Sequence, residues 1–144
     1  MNLSKNSKAV VISNAVAAGT SDLTSLASVD MQNYESVMFI IQSGAIVSGA
    51  ATSVKAQQSA DDTTFNDLEG TSQTVLDTED STAFIIDINK ALDRYVRPVI
   101  LRATQNSTVE SVTAILYGPR KMPITLDASI SGSELHVSPD EGTA

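Results

Sequence analysis

The chain has 144 residues, with 17 acidic and 9 basic side chains, one histidine and a formal net charge of −8 at pH 7. This length favours one domain with a real core, and the absence of cysteine excludes disulfide frameworks, thiolate zinc sites and thiol nucleophiles. The acidic balance opposes binding to nucleic acid or to anionic membrane surfaces, both of which depend on clustered Lys and Arg. No apolar run approaches the roughly 20 residues of a membrane span.

The first predicted element is a β-strand in AVVISNAV, residues 9–16, where Val10, Ile12 and Val16 share one face. The same stretch follows two lysines and crudely resembles a signal peptide. Ser13 and Asn14 interrupt the apolar run, so we favour the strand.

The next two runs predict neighbouring strands. SVMFIIQS, residues 36–43, is apolar at successive positions, which predicts a central strand covered on both faces. Gly-rich turn residues separate it from SVKAQQS, residues 53–59.

An acidic connection follows in QQSADDTTFNDLEG, residues 57–70, which carries four carboxylates: Asp61, Asp62, Asp67 and Glu69. Residues 56–89 hold eight acids and no base, and such oxygen ligands suit calcium. The spacing lacks the central Gly and terminal Glu of the twelve-residue calcium loop. A calcium site, a glycosidase-like acid–base pair and a solvated turn are the three alternatives. We favour a hairpin in which Asp and Thr cap their own backbone while Phe65 points inward.

The second half of the chain continues the pattern. TAFIIDI, residues 82–88, places Phe84, Ile86 and Ile88 on one strand face, and NKALDR, residues 89–94, predicts a short crossover helix. RYVRPVILRA, residues 94–103, predicts a strand with an edge or a bulge at Pro98, because proline has no N–H to donate. VESVTAILYG predicts a last core strand with one face formed by Val112, Ala114 and Leu116.

The tail beyond Pro123 alternates strictly, with Ile124, Leu126, Ala128 and Ile130 on one face. This pattern predicts a half-buried strand that either closes the domain's own sheet or adds to a neighbouring subunit as an arm. We therefore divide the chain into a β-sandwich domain, residues 1–123, and a C-terminal strand or arm, residues 124–144.

Catalytic groups are scarce in this sequence. The single histidine, His136, lies in the tail, where no rigid element would orient it as a base. No nucleophile elbow or phosphate-binding Gly-rich loop is found. We predict no enzymatic activity, no cofactor and no metal.

The basic residues are concentrated in residues 89–121, which hold six of the nine. Arg94 and Arg102 share strand parity with Val96 and Ile100, whereas Arg97 falls on the other face. One domain with an acidic and a basic segment can stack head-to-tail with other copies or dock on a charged partner. The alternative is that the two segments form salt bridges within the chain. The candidate interface residues are Arg94, Arg97, Arg120, Lys121, Ile124, Leu126 and Ile130.

Three stretches taken together resemble the jelly-roll cement, or head-decoration, proteins of tailed bacteriophages: YESVMFIIQSGAIV, VKAQQSADDTTFNDLEG and DRYVRPVILRATQNSTVESVTAILYGPRKMP. In that family a Q-x-S-D-D-x-x-x-F turn precedes an R-Y-V-R strand. The resemblance spans residues 34–123. The sequence departs from the pattern at Ala60, Thr63 and Pro98, and the tail lies outside it.

The resemblance implies a virion protein that binds the major capsid protein on the outer surface of an icosahedral shell, commonly as a homotrimer. It implies no direct contact with nucleic acid or membrane. We therefore expect an all-β, jelly-roll-like antiparallel β-sandwich with one short helix and an extended C-terminal arm. The alternative function is a carbohydrate- or receptor-binding sandwich of a phage fibre or surface protein. The absence of Trp and the presence of only three Tyr count against sugar stacking.

Overall fold

The computed structural model, which describes residues 2–143, consists of two antiparallel β-sheets packed as a sandwich. The elements in chain order are α1 (Leu3–Asn6), β1 (Ser7–Ser13), β2 (Val16–Gly19), β3 (Val29–Asp30), β4 (Tyr34–Ile46), β5 (Ala51–Ser59), β6 (Asn66–Asp67), β7 (Gln73–Val75), β8 (Ala83–Ile88), β9 (Tyr95–Ala103) and β10 (Ser107–Pro119). The predicted all-β fold with one short helix is confirmed.

The strand order is that of a jelly roll. The first sheet has the order β1-β10-β4-β8, with β2 also on β10, and the second has the order β3-β9-β5-β6, with β7 also on β5. The first strand of the chain therefore pairs with the last, and the chain crosses repeatedly between the sheets, with β5, β6 and β7 together in the second. If β1 and β2 count as one divided strand and β6 and β7 as another, this gives the eight strands and the double Greek key of the jelly roll.

The core lies between the two sheets and contains the predicted strand faces. Period-two alternation directs one side of each strand inward, and burying those apolar side chains holds the layers together. The buried cluster draws on both sheets and includes Val37, Phe39, Ile41, Val54, Val96, Ile100, Val112, Ala114 and Leu116. Val10, Ile12, Val16, Phe84 and Ile88 are partly buried against it. The predicted first strand and the faces of β8 and β10 are confirmed.

Pro98 lies where its strand has no continuous neighbour. Opposite it, Ala56 directs its backbone N–H to Thr71 Oγ1 and its carbonyl to the Leu68 N–H, away from β9. The nitrogen of Pro98 therefore faces the other side of β9, in the gap between β3 and the isolated bridge that joins Leu23 to Ile100. The predicted edge at this proline is confirmed, and no ladder hydrogen bond is lost there.

The helix predicted at residues 89–94 is wrong. Lys90 has a φ of 58°, a left-handed backbone conformation that a right-handed helix excludes. The Lys90 N–H donates to Ser36 Oγ, and the Ala91 N–H donates to the Glu35 carbonyl at 3.1 Å. Contacts with β4 therefore shape this crossover. The helix that forms instead is the four-residue α1, which the sequence reading missed.

The strand predicted at residues 124–130 does not form in the single chain. Asp127 makes a turn, because its carboxylate accepts the N–H and the hydroxyl of Ser129 and its carbonyl accepts the Ile130 N–H. The segment lies beside the outer edge of β1, where Ser129 Oγ accepts the Val11 N–H and Asp127 pairs with Lys8 at 3.1 Å. Addition to a neighbouring subunit stays a prediction.

Candidate interaction surfaces

The outer face of the first sheet, the side turned away from the core, has an apolar centre. The strand registers form one row across it from Val11 through Thr113 and Ile40 to Ile85, and a second row from Ala9 through Ile115 and Met38 to Asp87. Ile85 is 53% exposed, and the side chains of the other apolar residues in the two rows are half-buried. They lie outside the core cluster and its partly buried fringe.

This face corrects part of the prediction for β4. The strand is central, between β10 and β8, as expected. Its second apolar face, which carries Met38 and Ile40, is only half-buried, whereas Val37 and Phe39 are fully buried. The sequence thus supplies a strand that is apolar on both faces, but the described part of the chain, residues 2–143, buries only one of them.

Charge is sparse on this outer face. Within the two rows the single ionisable side chain is Asp87, whose carboxylate accepts the Tyr117 hydroxyl at 2.7 Å. Burial, together with this hydrogen bond, raises the pKa of Tyr117. Beyond the two rows, Glu110 lies across Gly44 at one end of the face, and the charge of Glu35 also raises the pKa of Tyr117. Four strands about 4.8 Å apart make a central patch of the order of 300 Å².

The outer face of the second sheet is different, because charged side chains cross it in contact with one another. Lys55 pairs with Asp67 at 2.7 Å, and this hydrogen bond holds the pKa of Asp67 below its usual range. Arg97 donates from Nε and Nη2 to Gln57 Oε1 at 3.0 and 2.8 Å. This face is therefore polar and internally paired.

The acidic connection is a hairpin between β5 and β6, as predicted, with Gln57 opposite Asp67. Asp61 caps it: its Oδ1 accepts the N–H groups of Thr63 and Thr64 and the hydroxyl of Ser59 at 2.8 to 2.9 Å. These hydrogen bonds, first of all the one from Thr64, hold the pKa of Asp61 far below its usual range. The carboxylate thus serves the backbone of its own turn.

The prediction that Phe65 points inward is wrong. Its half-buried ring lies under Arg97, whose guanidinium carbon is 3.7 Å from the ring centroid, and it does not belong to the core cluster. The hairpin is therefore anchored to the outer face of the second sheet by a cation–π contact. The signal in the sequence was the strand parity of Arg97, which places this side chain outside.

Three further acids of residues 56–89 accept backbone N–H groups elsewhere instead of converging with Asp61. Asp77 accepts the Gly49 N–H at 2.7 Å, Glu79 accepts the Leu76 N–H at 2.7 Å, and Asp80 accepts the Ile46 N–H at 2.8 Å. Across residues 2–143 the structure brings together no group of three His, Cys, Asp or Glu side chains that could hold a metal ion.

His136 lies in the exposed tail, where its Nε2 is 3.0 Å from Glu134 Oε2. Within the described residues, no helix has both the length and the apolar character needed to cross a bilayer.

Two of the predicted interface arginines have partners in their own chain. Arg94 binds Asp30 through Nε at 2.9 Å and Nη2 at 2.7 Å, and it also donates to Gln32 Oε1. Because of this bidentate pair, the pKa of Asp30 is lowered and that of Arg94 is raised. Arg97 is held by Gln57 and Phe65. The alternative of salt bridges within the chain therefore applies to Arg94, although its partner Asp30 lies on β3 and not in the acidic segment.

The other five candidates lie just beyond the C-terminal end of β10 and in the tail. Arg120 and Lys121 have exposed side chains, and the Arg120 N–H donates to the Asn33 carbonyl. Ile124 packs against the core, Leu126 is 46% exposed and Ile130 is half-buried. Lys121 and Ile124 line one recess together with Lys8 and Tyr34, so the structure brings only part of the predicted set together.

The sequence did not identify Arg102 as a buried residue that holds backbone carbonyl groups together. This side chain is only 5% exposed, and its guanidinium donates to the carbonyl oxygens of Ala17, Ser21 and Ser107 at 3.1, 2.7 and 2.9 Å. Its backbone N–H donates to Asp22 at 2.7 Å. The inward strand parity of Arg102 was visible in the sequence, but a strand pattern cannot identify carbonyl partners so far away along the chain.

Comparison with known proteins gives no further assignment: no family model matches the chain, and no curated protein matches it.

Proposed function

We propose that this protein is a structural virion component that decorates and stabilises the outer surface of an icosahedral phage capsid. In this proposal the outer face of the first sheet docks on the capsid shell. The contribution is mechanical: bound copies bury surface across junctions between capsid subunits and so stabilise the assembled shell.

The observation that carries the proposal is the uncovered apolar face of β4. Met38 and Ile40 are apolar, lie at the centre of the first sheet and form rows with Ile115 and Ile85. The chain has 26 charged residues, but the two central rows contain one ionisable group, Asp87, which accepts a hydrogen bond from the Tyr117 hydroxyl. A contiguous apolar patch of this size is comparable to the largest patch on an ordinary monomer, and such patches are often functional.

The fold supports the same proposal. The stretches that resemble cement proteins form β4, the β5–β6 hairpin, β9 and β10. They therefore supply the four central strands, two in each sheet. The strand order agrees with the jelly roll that the resemblance implies, although this fold hosts many functions and does not define one.

The size of the face favours a contact repeated many times. A patch of the order of 300 Å² is well below the roughly 800 Å² per partner of a standard stable complex. A single copy would bind weakly through this face alone. Contacts with neighbouring copies, for example in the homotrimer that the resemblance implies, would add avidity without any new contact to the shell.

The rival function, recognition of a carbohydrate or a receptor, has less support. Sugar rings usually stack on exposed aromatic faces, but the ring of Phe65 is covered by Arg97, and the ring of Tyr95 has Arg94 at 5.1 Å. Tyr34 is 9% exposed, and the Tyr117 hydroxyl is bound to Asp87. Binding of the isolated protein to a glycan array would favour this rival.

The first experiment counts copies of the protein in purified virions of the phage that encodes it. Hundreds of copies, released by mild heat or chaotrope with a loss of pressure resistance, would support decoration of the shell. A handful of copies would indicate a tail or fibre part. Particles that stay unchanged after release would contradict a stabilising role.

The second experiment tests the docking face with matched variants. Ile40→Lys and Ile85→Lys place a charge in the apolar rows, and Leu101→Lys places one on the half-buried outer side of the second sheet. Variants whose circular dichroism and melting temperature match the wild type are then added to shells lacking the protein. We expect at least a tenfold loss of binding for the first two and little for Leu101→Lys. Equal binding by all three would exclude this face.

The tail arm needs a separate test. A chain ending at Ile124 removes the Lys8–Asp127 ion pair and the contact of Ser129 with Val11. If the tail joins subunits, light scattering will show loss of the oligomer while the monomer stays folded. If the shortened chain still forms the oligomer and still binds the shell, the tail does not act as an arm between subunits.

A further inference from the structure

Two buried hydroxyl groups lie close to Arg102 at one end of the core. Thr52, opposite Arg102 in the β5–β9 pair, is 8% exposed, and Ser107, at the start of β10, is 2% exposed. Thr52 Oγ1 and Ser107 Oγ have no hydrogen-bond partner among residues 2–143. A buried hydroxyl without a partner destabilises the folded state, so native proteins rarely leave two of them together.

Both residues line the same small cavity between the sheets. Its volume is about 10 Å³, and the rest of its wall is largely apolar, with Ile41, Val54, Phe84 and Ile100. A volume of this size is at the lower limit for one water molecule, and buried waters occur where a cavity offers at least two polar partners. An apolar cavity of the same size would stay dry, so a water molecule here requires hydrogen bonds to Thr52 Oγ1 and Ser107 Oγ.

We propose that this cavity is a binding site for one structural water molecule, which bridges Thr52 Oγ1 and Ser107 Oγ. The water links β5 of the second sheet to β10 of the first. Each hydroxyl can donate or accept, so one water satisfies both groups at once.

The site belongs to a larger polar cluster that orders this end of the sandwich. The carbonyl of Ser107 accepts Arg102 Nη1, so one residue would bind the guanidinium through its backbone and the water through its side chain. The same guanidinium also binds the carbonyl of Ala17 in β2 and that of Ser21 in the segment after β2. The water would thus join the start of β10 to β5, as Arg102 joins the start of β10 to β2 and to the segment after it.

The substitution Thr52→Val distinguishes a hydrated cavity from a dry one by the sign of its effect. Valine has the shape of threonine without the hydroxyl. If a water bridges the two groups, the substitution removes one of its partners, and we expect the melting temperature to fall by roughly 2 to 5 °C. If the cavity is dry, the substitution removes an unsatisfied polar group, and the melting temperature will rise.

Two controls complete the experiment. Thr74→Val, on the exposed side of neighbouring β7, measures the effect of valine on strand stability, and Thr52→Ser keeps the hydroxyl. A high-resolution crystal structure of the wild type should show one density peak within hydrogen-bond distance of both hydroxyls, which Thr52→Val weakens or removes. Absence of the peak in the wild type, or a Thr52→Val melting temperature at or above that of the wild type after correction by Thr74→Val, overturns the proposal.

Discussion

Arg97 lies over Phe65, with its guanidinium carbon 3.7 Å from the centroid of the ring, and at the same time donates two hydrogen bonds to Gln57. A turn that lies outside the core is thereby attached to the outer face of β9. The planar guanidinium makes the stacking contact and the paired hydrogen bonds at once, which an ammonium group cannot reproduce.

Phe65→Ala is expected to loosen the hairpin without unfolding the sandwich. The lost cation–π contact and burial amount to about 1 kcal/mol of the free energy of unfolding. Amide hydrogen exchange at Thr63 and Thr64 should become faster, while exchange in β4 stays unchanged. Arg97→Lys should act in the same direction. Unchanged protection of the hairpin in both variants would show that Asp61 alone holds the turn.

Replacement of Arg102 by Met is expected to be among the most damaging single changes. It leaves the carbonyl oxygens of Ala17, Ser21 and Ser107 without their donor, and we expect a loss of about 2 to 4 kcal/mol in the free energy of unfolding. Urea denaturation measures this loss, with the exposed Arg120→Met as control. Equal stability of the two variants would contradict a structural role for the buried guanidinium.

Two glycines with positive φ make a matched pair for substitution by alanine. Gly118 has a φ of 65°, and a Cβ there would lie 3.0 Å from the Cβ of Glu35. Gly70 has a φ of 76° and open space around it. Both changes strain the backbone by about 1 kcal/mol, and Gly118→Ala should cost more because of the added crowding. Thermal melting compares them, and a larger effect at Gly70 would contradict this order.

The stability of the protein should fall in acid. Hydrogen bonds hold the pKa of Asp61 and of Asp30 below the ordinary value, so below about pH 4 the unfolded chain binds protons that the folded chain does not. The stabilisation is therefore present above that pH and is lost as the pH falls through the folded-state pKa. Melting temperatures between pH 7 and pH 2.5 should decline less steeply in Asp61→Asn than in the wild type or in Asp140→Asn.

Much of the fold was predictable, because strand faces follow a local rule. Inward positions such as Phe39, Ile86 and Leu116 alternate with outward ones, and this periodicity identified the long strands and their core sides. Local capping chemistry likewise predicted the acidic hairpin, because Asp and Thr side chains bind the backbone of their own turn. The predictions failed where a distant contact overrides a local preference: β4 controls the crossover at Lys90, and Arg97 draws Phe65 outward.

The sequence by itself determined the all-β class, the inward faces of the long strands and the turn at Asp61, because each depends on residues close together in the chain. The tertiary structure decided which strands pair, that Arg102 binds a carbonyl 85 positions away, and that the second apolar face of β4 has no cover within residues 2–143. These features depend on where separate strands meet in space, and periodicity within one strand carries no information about that.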